Sequence, residues 1–130
     1  MDYSQLSDFE INKCVSVAAG LNVNMSFDVD EVYARGPVWT APSGNFYAGI
    51  KSSKGNPFDP CNNPADAWPI IVDNEISLNS YSGTWEASYE YDAPIGAFGT
   101  DELVTKAVEG KNPLRTAMIA FLMKREHANA

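Results

Sequence analysis

The chain has 130 residues, 45% of them hydrophobic, with 17 acidic against 9 basic residues and a formal charge of −8. That is one domain's worth of chain with enough apolar content for a core, so disorder is not expected and neither metal nor disulfide staples are needed. The acidic balance argues against direct binding to nucleic acid or to an anionic membrane, both of which need a basic face.

The N-terminal Met-Asp-Tyr-Ser-Gln has neither the basic start nor the apolar run of a signal peptide. No segment approaches the ~20 apolar residues of a membrane span. A cytoplasmic protein is therefore expected, with both Cys14 and Cys61 reduced and Cys14 a small core residue.

The first helix is signalled by Ser7 and Glu10 at capping-box spacing, with Leu6 and Ile11 placed for a hydrophobic staple. Ile11, Cys14, Val15 and Ala18 repeat on one face, and Gly20 is a natural stop. Residues 22 to 60 are punctuated by Gly36-Pro37, Pro42-Ser43-Gly44-Asn45 and Gly55-Asn56-Pro57. They predict one or two strands, around Val38-Trp39-Thr40 and Phe46–Ile50, joined by long loops. Asp28 and Asp30 would share a strand face, which suits a weak Mg²⁺ site less well than a solvated acidic edge.

Asn63 caps a second helix, with Pro64 at its first position and Asp66 in its first turn. Pro69 lacks an amide hydrogen and restrains Trp68, which predicts two short helical turns with a kink between them. From Thr84 to Tyr91 the chain alternates with period two, Trp85, Ala87, Tyr89 and Tyr91 sharing a face. Paired with Ile76–Leu78 through residues 79–83, it predicts an antiparallel hairpin. Ala93–Gly99 reads as a loop and Thr100–Val108 as a short helix ended by Gly110. Asn112-Pro113 opens the last helix, with Leu114, Ala117, Met118, Phe121 and Leu122 on one face and Lys124 and Arg125 near its end. The fold class is α+β: one domain over residues 1–126, a short antiparallel sheet with about three helices on one face, and a frayed tail at 127–130.

Four stretches carry a family resemblance. They are the start Met-Asp-Tyr-Ser-Gln-Leu-Ser-Asp-Phe-Glu-Ile-Asn-Lys, the run Asn-Asn-Pro-Ala-Asp-Ala-Trp-Pro-Ile-Ile, the strand Trp85-x-Ala87, and Asn-Pro-Leu-Arg-Thr-Ala-Met-Ile-Ala-Phe-Leu-Met near the end. Together they resemble the NinX-like proteins of lambdoid phages and enterobacterial prophages, from end to end. The resemblance implies a small soluble protein made in an infected bacterial cytoplasm. It brings no assigned catalytic residues.

The composition agrees on that last point. His127 is the only histidine and lies in the tail expected to fray, which disfavours a Ser-His or Cys-His pair, and zinc would need more Cys and His than the chain has. Cys61 precedes a helix start, where a thiolate could be stabilised, but no base lies near it in sequence. No enzyme, metal or cofactor is expected.

The binding candidates are Asn62, Asn63, Asp66, Trp68, Trp85, Arg115, Tyr47 and Trp39. The aromatics could fill a core or form a stacking surface, and Arg115 could hold a phosphate or pair with Asp66 or Asp73. Three functions follow: a non-enzymatic accessory protein that binds and inhibits a host protein, a binder of a small nucleotide-like ligand, and an acidic DNA mimic. The last requires a denser charge array than these scattered acids supply. A homo-oligomer is among the partners the sequence allows. Trp68→Ala is expected to unfold the protein or melt it far lower, because removing a buried aromatic costs ~3–5 kcal/mol; normal melting with lost binding would move Trp68 from core to site.

Overall fold

A computed structural model of the chain describes residues 2–20, 25–27, 32–34, 39–41, 44–46, 56–95 and 100–128. After a short 3-10 turn at Tyr3–Gln5 come α1 (Asp8–Ala18), β1 (Met25–Phe27), β2 (Val32–Ala34), β3 (Trp39–Ala41), β4 (Gly44–Phe46) and β5 (Asn56–Pro57). Then follow α2 (Pro64–Asp73), β6 (Ser77–Tyr81), β7 (Thr84–Ile95), β8 (Thr100–Gly110) and α3 (Pro113–Ala128). The fold is α+β. Its main sheet is antiparallel, in the order β6-β7-β8. Two smaller antiparallel sheets, β1-β2-β5 and β3-β4, occupy the segment where one or two strands were expected.

The helix starts follow their sequence signals. Ser7 and Glu10 form the full capping box, and Gly20, at φ 76°, follows the end of α1 in the left-handed region. Asn63 accepts from the Ala65 amide and Asn112 from those of Leu114 and Arg115, each helix opening on the proline that follows its cap. Pro69 does not split α2. The helix is continuous through it, and the exposed face on which Pro69 lies leaves the freed Ala65 carbonyl to water.

α3 is the centre of the molecule. It lies across β7 and β8, while α1 and α2 pack against it. Residues 116–122 are consequently buried on every side, so Ile119 and Ala120 join the face that the sequence assigned to Ala117, Met118, Phe121 and Leu122. On the sheet, Ala87 and Tyr89 are buried with Trp85 and Tyr91 half-buried beside them, as the alternation requires. Gly110 lets β8 approach α3: any Cβ there would collide with the Thr116 hydroxyl.

Several expectations fail for physical reasons. Residues 100–110 form a strand, not a helix, and 93–95 extend β7 instead of looping. Val104, Thr105 and Val108 are β-branched, and eleven consecutive pairs with β7, from Trp85↔Gly110 to Ile95↔Thr100, outweigh a capping signal at Thr100. Residues 79–81 continue β6, leaving a two-residue turn at Ser82-Gly83. His127 is helical, not frayed, and its ring stacks on Tyr91 at 3.9 Å between centroids and 11° between planes. Cys14 is partly buried against the core rather than within it. Asp28, Asp30 and Tyr47 lie outside the described residues.

Candidate functional site

The run that opens α2 and the starts of α1 and α3 meet in one polar cluster. Its spine is the turn at 59–63, where the Asp59 carbonyl accepts from the amides of Asn62 and Asn63 at 3.1 and 2.7 Å. The Asp59 amide donates forward to Asp66 Oδ2 at 2.9 Å, which ties the turn to the first turn of α2. From α1, buried Asn12 donates to Asp59 Oδ1 at 2.8 Å and accepts from the Cys61 amide at 3.1 Å. Asn62 donates to both Asp8 and Asp59. Asn112 donates to the Cys61 carbonyl at 2.9 Å and to Asn62 Oδ1 at 3.2 Å, while its own oxygen caps α3.

Arg115 closes the cluster. Its guanidinium donates to Asp8 Oδ1 at 2.7 Å, to the Leu6 carbonyl at 2.7 Å and to the Ser4 carbonyl at 3.3 Å. Its partner is therefore Asp8, at the start of α1, and not Asp66 or Asp73. Three helix N-termini converge here, where their dipoles favour the carboxylates that sit among them.

Burial dominates the electrostatics of the cluster. Burial, reinforced by the Asp8 charge, pushes the Cys61 thiol up to about 12, which disfavours the thiolate that a helix start could otherwise stabilise. Burial also raises Asp66, against the hydrogen bond from the Asp59 amide that favours its charged form. Among the described residues no group of three His, Cys, Asp or Glu could hold a metal ion, and no helix is long and apolar enough to cross a membrane.

The predicted site residues thus separate. Asn62, Asn63, Asp66 and Arg115 are brought together, with their polar groups engaged by one another and by Asp8, Asn12, Asp59 and Asn112. Trp68 points away from them: it is 63% exposed on the outer face of α2, beside exposed Ala65, Pro69 and Val72. Trp85 is half-buried on β7, and no hydrogen bond among the described residues links it to the cluster. Trp39 lies in β3 opposite Phe46. Among the described residues the aromatics differ in setting, Phe58 and Tyr89 being buried whereas Trp68 and Tyr81 are exposed.

The chain belongs to the family described as Bacteriophage P22, NinX, whose model matches residues 2–125. No curated protein matches it. The NinX match takes in the polar cluster from Ser4 to Arg115 and the whole of α2. The motif Asn-Asn-Pro-Ala-Asp-Ala-Trp-Pro thereby divides: its Asn and Asp members build a junction between three helices, and its Trp and last Pro face solvent.

Sequence reasoning missed Asp59 and Asn12 as members of this cluster. Asn12 carried a faint signal, a polar side chain next to Ile11 at the border of the apolar face. A separate groove of about 780 Å³ runs between α1 and α3, lined by Tyr3, Leu6, Phe9, Cys14, Val17 and Leu122 among others. The Tyr3 hydroxyl donates to Glu126 at 2.5 Å at this groove, and burial with that contact raises the phenol above its ordinary value.

Proposed function

We propose that this phage protein is a non-enzymatic accessory factor that works in the host cytoplasm by binding a host protein through the outer face of α2. The observation that carries the reading is Trp68, 63% exposed, with Val72 51% exposed one turn further along. Ala65, Trp68, Pro69 and Val72 follow helical i, i+3, i+4, i+7 spacing, so α2 has a second apolar face in addition to the one that Ala67, Ile70 and Ile71 bury. An apolar helix face left in water costs solvation free energy that docking recovers, and tryptophan is enriched among residues that dominate interfaces. Exposed Asp73 and Glu75 at the helix end favour a partner with a basic rim around an apolar centre.

The small-ligand reading needed Arg115, Asn63 or Asn112 at the base of a pocket. Arg115 spends its donors on Asp8 and two carbonyls, and both asparagines spend their oxygens on caps. No observation favours that reading over a protein partner.

The test is recovery of tagged full-length chain from infected bacteria, comparing wild type with Trp68→Ala and Val72→Ser. A host polypeptide retained by the wild type and lost from both variants, with melting unchanged, supports the reading. Retention unaffected by either substitution overturns it.

A further inference from the structure

The backbone parity of the main sheet determines which peptide groups are left open. Ser82 and Gly83 have φ values of 43° and 89°, both positive as the two-residue type I′ turn requires. Tyr81 and Thr84 are then the hydrogen-bonded pair beside the turn. Alternation from Thr84 directs the peptide groups of Glu86 and Ser88 toward β6, and those of odd-numbered β7 residues toward β8. Odd β7 residues lie opposite even β8 residues, Ala87↔Val108 and Tyr91↔Val104 among them. The peptide groups of Asp101, Leu103, Thr105, Ala107 and Glu109 therefore point out of the sheet along the outer edge of β8.

The two open edges are treated differently. β6 ends at Ser77, opposite Ser88, so β7 runs beyond it with no strand on that edge among the described residues. Pro94 falls in the parity set that faces that edge, where a missing amide hydrogen costs no ladder bond and blocks further pairing. β8 has no proline and its register contains no bulge over eleven pairs. Among the described residues no strand pairs with its outer edge, and Leu103 on it is 63% exposed. An edge this long and uninterrupted is rare in a protein that stays alone.

We infer that β8 pairs antiparallel with β8 of a second copy across a two-fold axis, giving one six-stranded sheet. Charge selects the register. With Val104 opposite its counterpart, Lys106 falls opposite Glu102 of the second copy, twice by symmetry, and Leu103 falls opposite Thr105. Sliding one way by one backbone period puts Asp101 against Glu109 twice, and by two puts Lys106 against itself; sliding the other way by one puts Leu103 opposite itself and Lys106 opposite Thr100, which forfeits both ion pairs. Lys106 is exposed, and at an isolated edge it guards against pairing. In the chosen register it becomes the group that specifies the pairing.

The experiment is sedimentation or light scattering of the full chain across about 1–200 µM, the range in which modest protein interfaces titrate. The expected mass at the upper end is twice 14.2 kDa. Thr105→Pro removes an outward amide and no bond to β7, so it should give a monomer with near wild-type melting. Lys106→Glu should weaken the dimer at least ~10-fold, and the charge swap Glu102→Lys with Lys106→Glu should restore it to within roughly threefold. The swap decides the matter even if Thr105→Pro fails to fold. A monomer at every concentration overturns the inference. So does a dimer indifferent to Lys106→Glu, or one abolished by Trp68→Ala instead.

Discussion

Replacing Arg115 with methionine keeps most of the side chain's length and apolar stem while removing its hydrogen bonds to Asp8, Leu6 and Ser4. A desolvated charge-assisted bond contributes ~1.5–3 kcal/mol. Here the Arg115 and Asp8 side chains are 22% and 45% exposed, so solvent reduces the ion pair to ~1 kcal/mol. The Leu6 carbonyl loses its charged donor, for about another 1 kcal/mol, and the Ser4 contact is too long to add much. Asp8 keeps a bond from Asn62 and is not orphaned. The total is ~2 kcal/mol, which in a chain of this length lowers the melting midpoint by roughly 6–12 °C. Thermal unfolding followed by circular dichroism measures it. Repeating the scan in 1 M NaCl, where screening acts within ~3 Å, should remove part of the difference and leave the carbonyl share. A drop below ~2 °C at low salt would refute the idea that this cluster holds the three helices together.

Asp66 titrates above the ordinary carboxylate value of 3.8 in the folded state, chiefly through burial. Its contribution to stability is thus complete below 3.8 and lost as pH rises through the raised value. Asp66→Asn keeps an oxygen for the Asp59 amide without the charge, so its melting midpoint relative to wild type should improve from pH 3 to 7; a relative gain by wild type over that range contradicts the assignment. Cys61 is buried with its thiol pushed up to about 12, while Cys14 is partly buried, so a thiol reagent at pH 8 should label Cys14 first and Cys61 only on unfolding. Equal rates for the two would sink this. The Tyr89 hydroxyl is buried with no hydrogen-bond partner among the described residues, so Tyr89→Phe should leave stability unchanged or raise it by ~1 kcal/mol; a clear loss would mean the hydroxyl has a partner.

Local signals were the legible ones. The capping box at Ser7 and Glu10, the Asn-Pro starts at 63 and 112, and the alternation from Thr84 to Tyr91 each act within a few residues, and each appears where the sequence placed it. β8 was misread because Thr100-Asp101-Glu102 imitates a helix start, while the partner that makes it a strand is β7, reached only through the tertiary fold. The candidate site was legible as a motif and illegible as a division of labour. Asn62 and Arg115 find Asp8 and Asn112 across long sequence separations, and no periodicity encodes such meetings. Trp68 was expected to be core because aromatics dominate the cores of small β-rich layers. α2 buries Ala67, Ile70 and Ile71 instead, and the helical period then carries position 68 to the outside.

The most direct measurement is the thermal unfolding of Trp68→Ala. With Trp68 63% exposed, the midpoint should lie within roughly 3 °C of wild type, because little buried contact is lost. A fall of about 10 °C or more, the size of a core aromatic deletion, would put Trp68 in the core and contradict the assignment of the outer face of α2 as the binding surface.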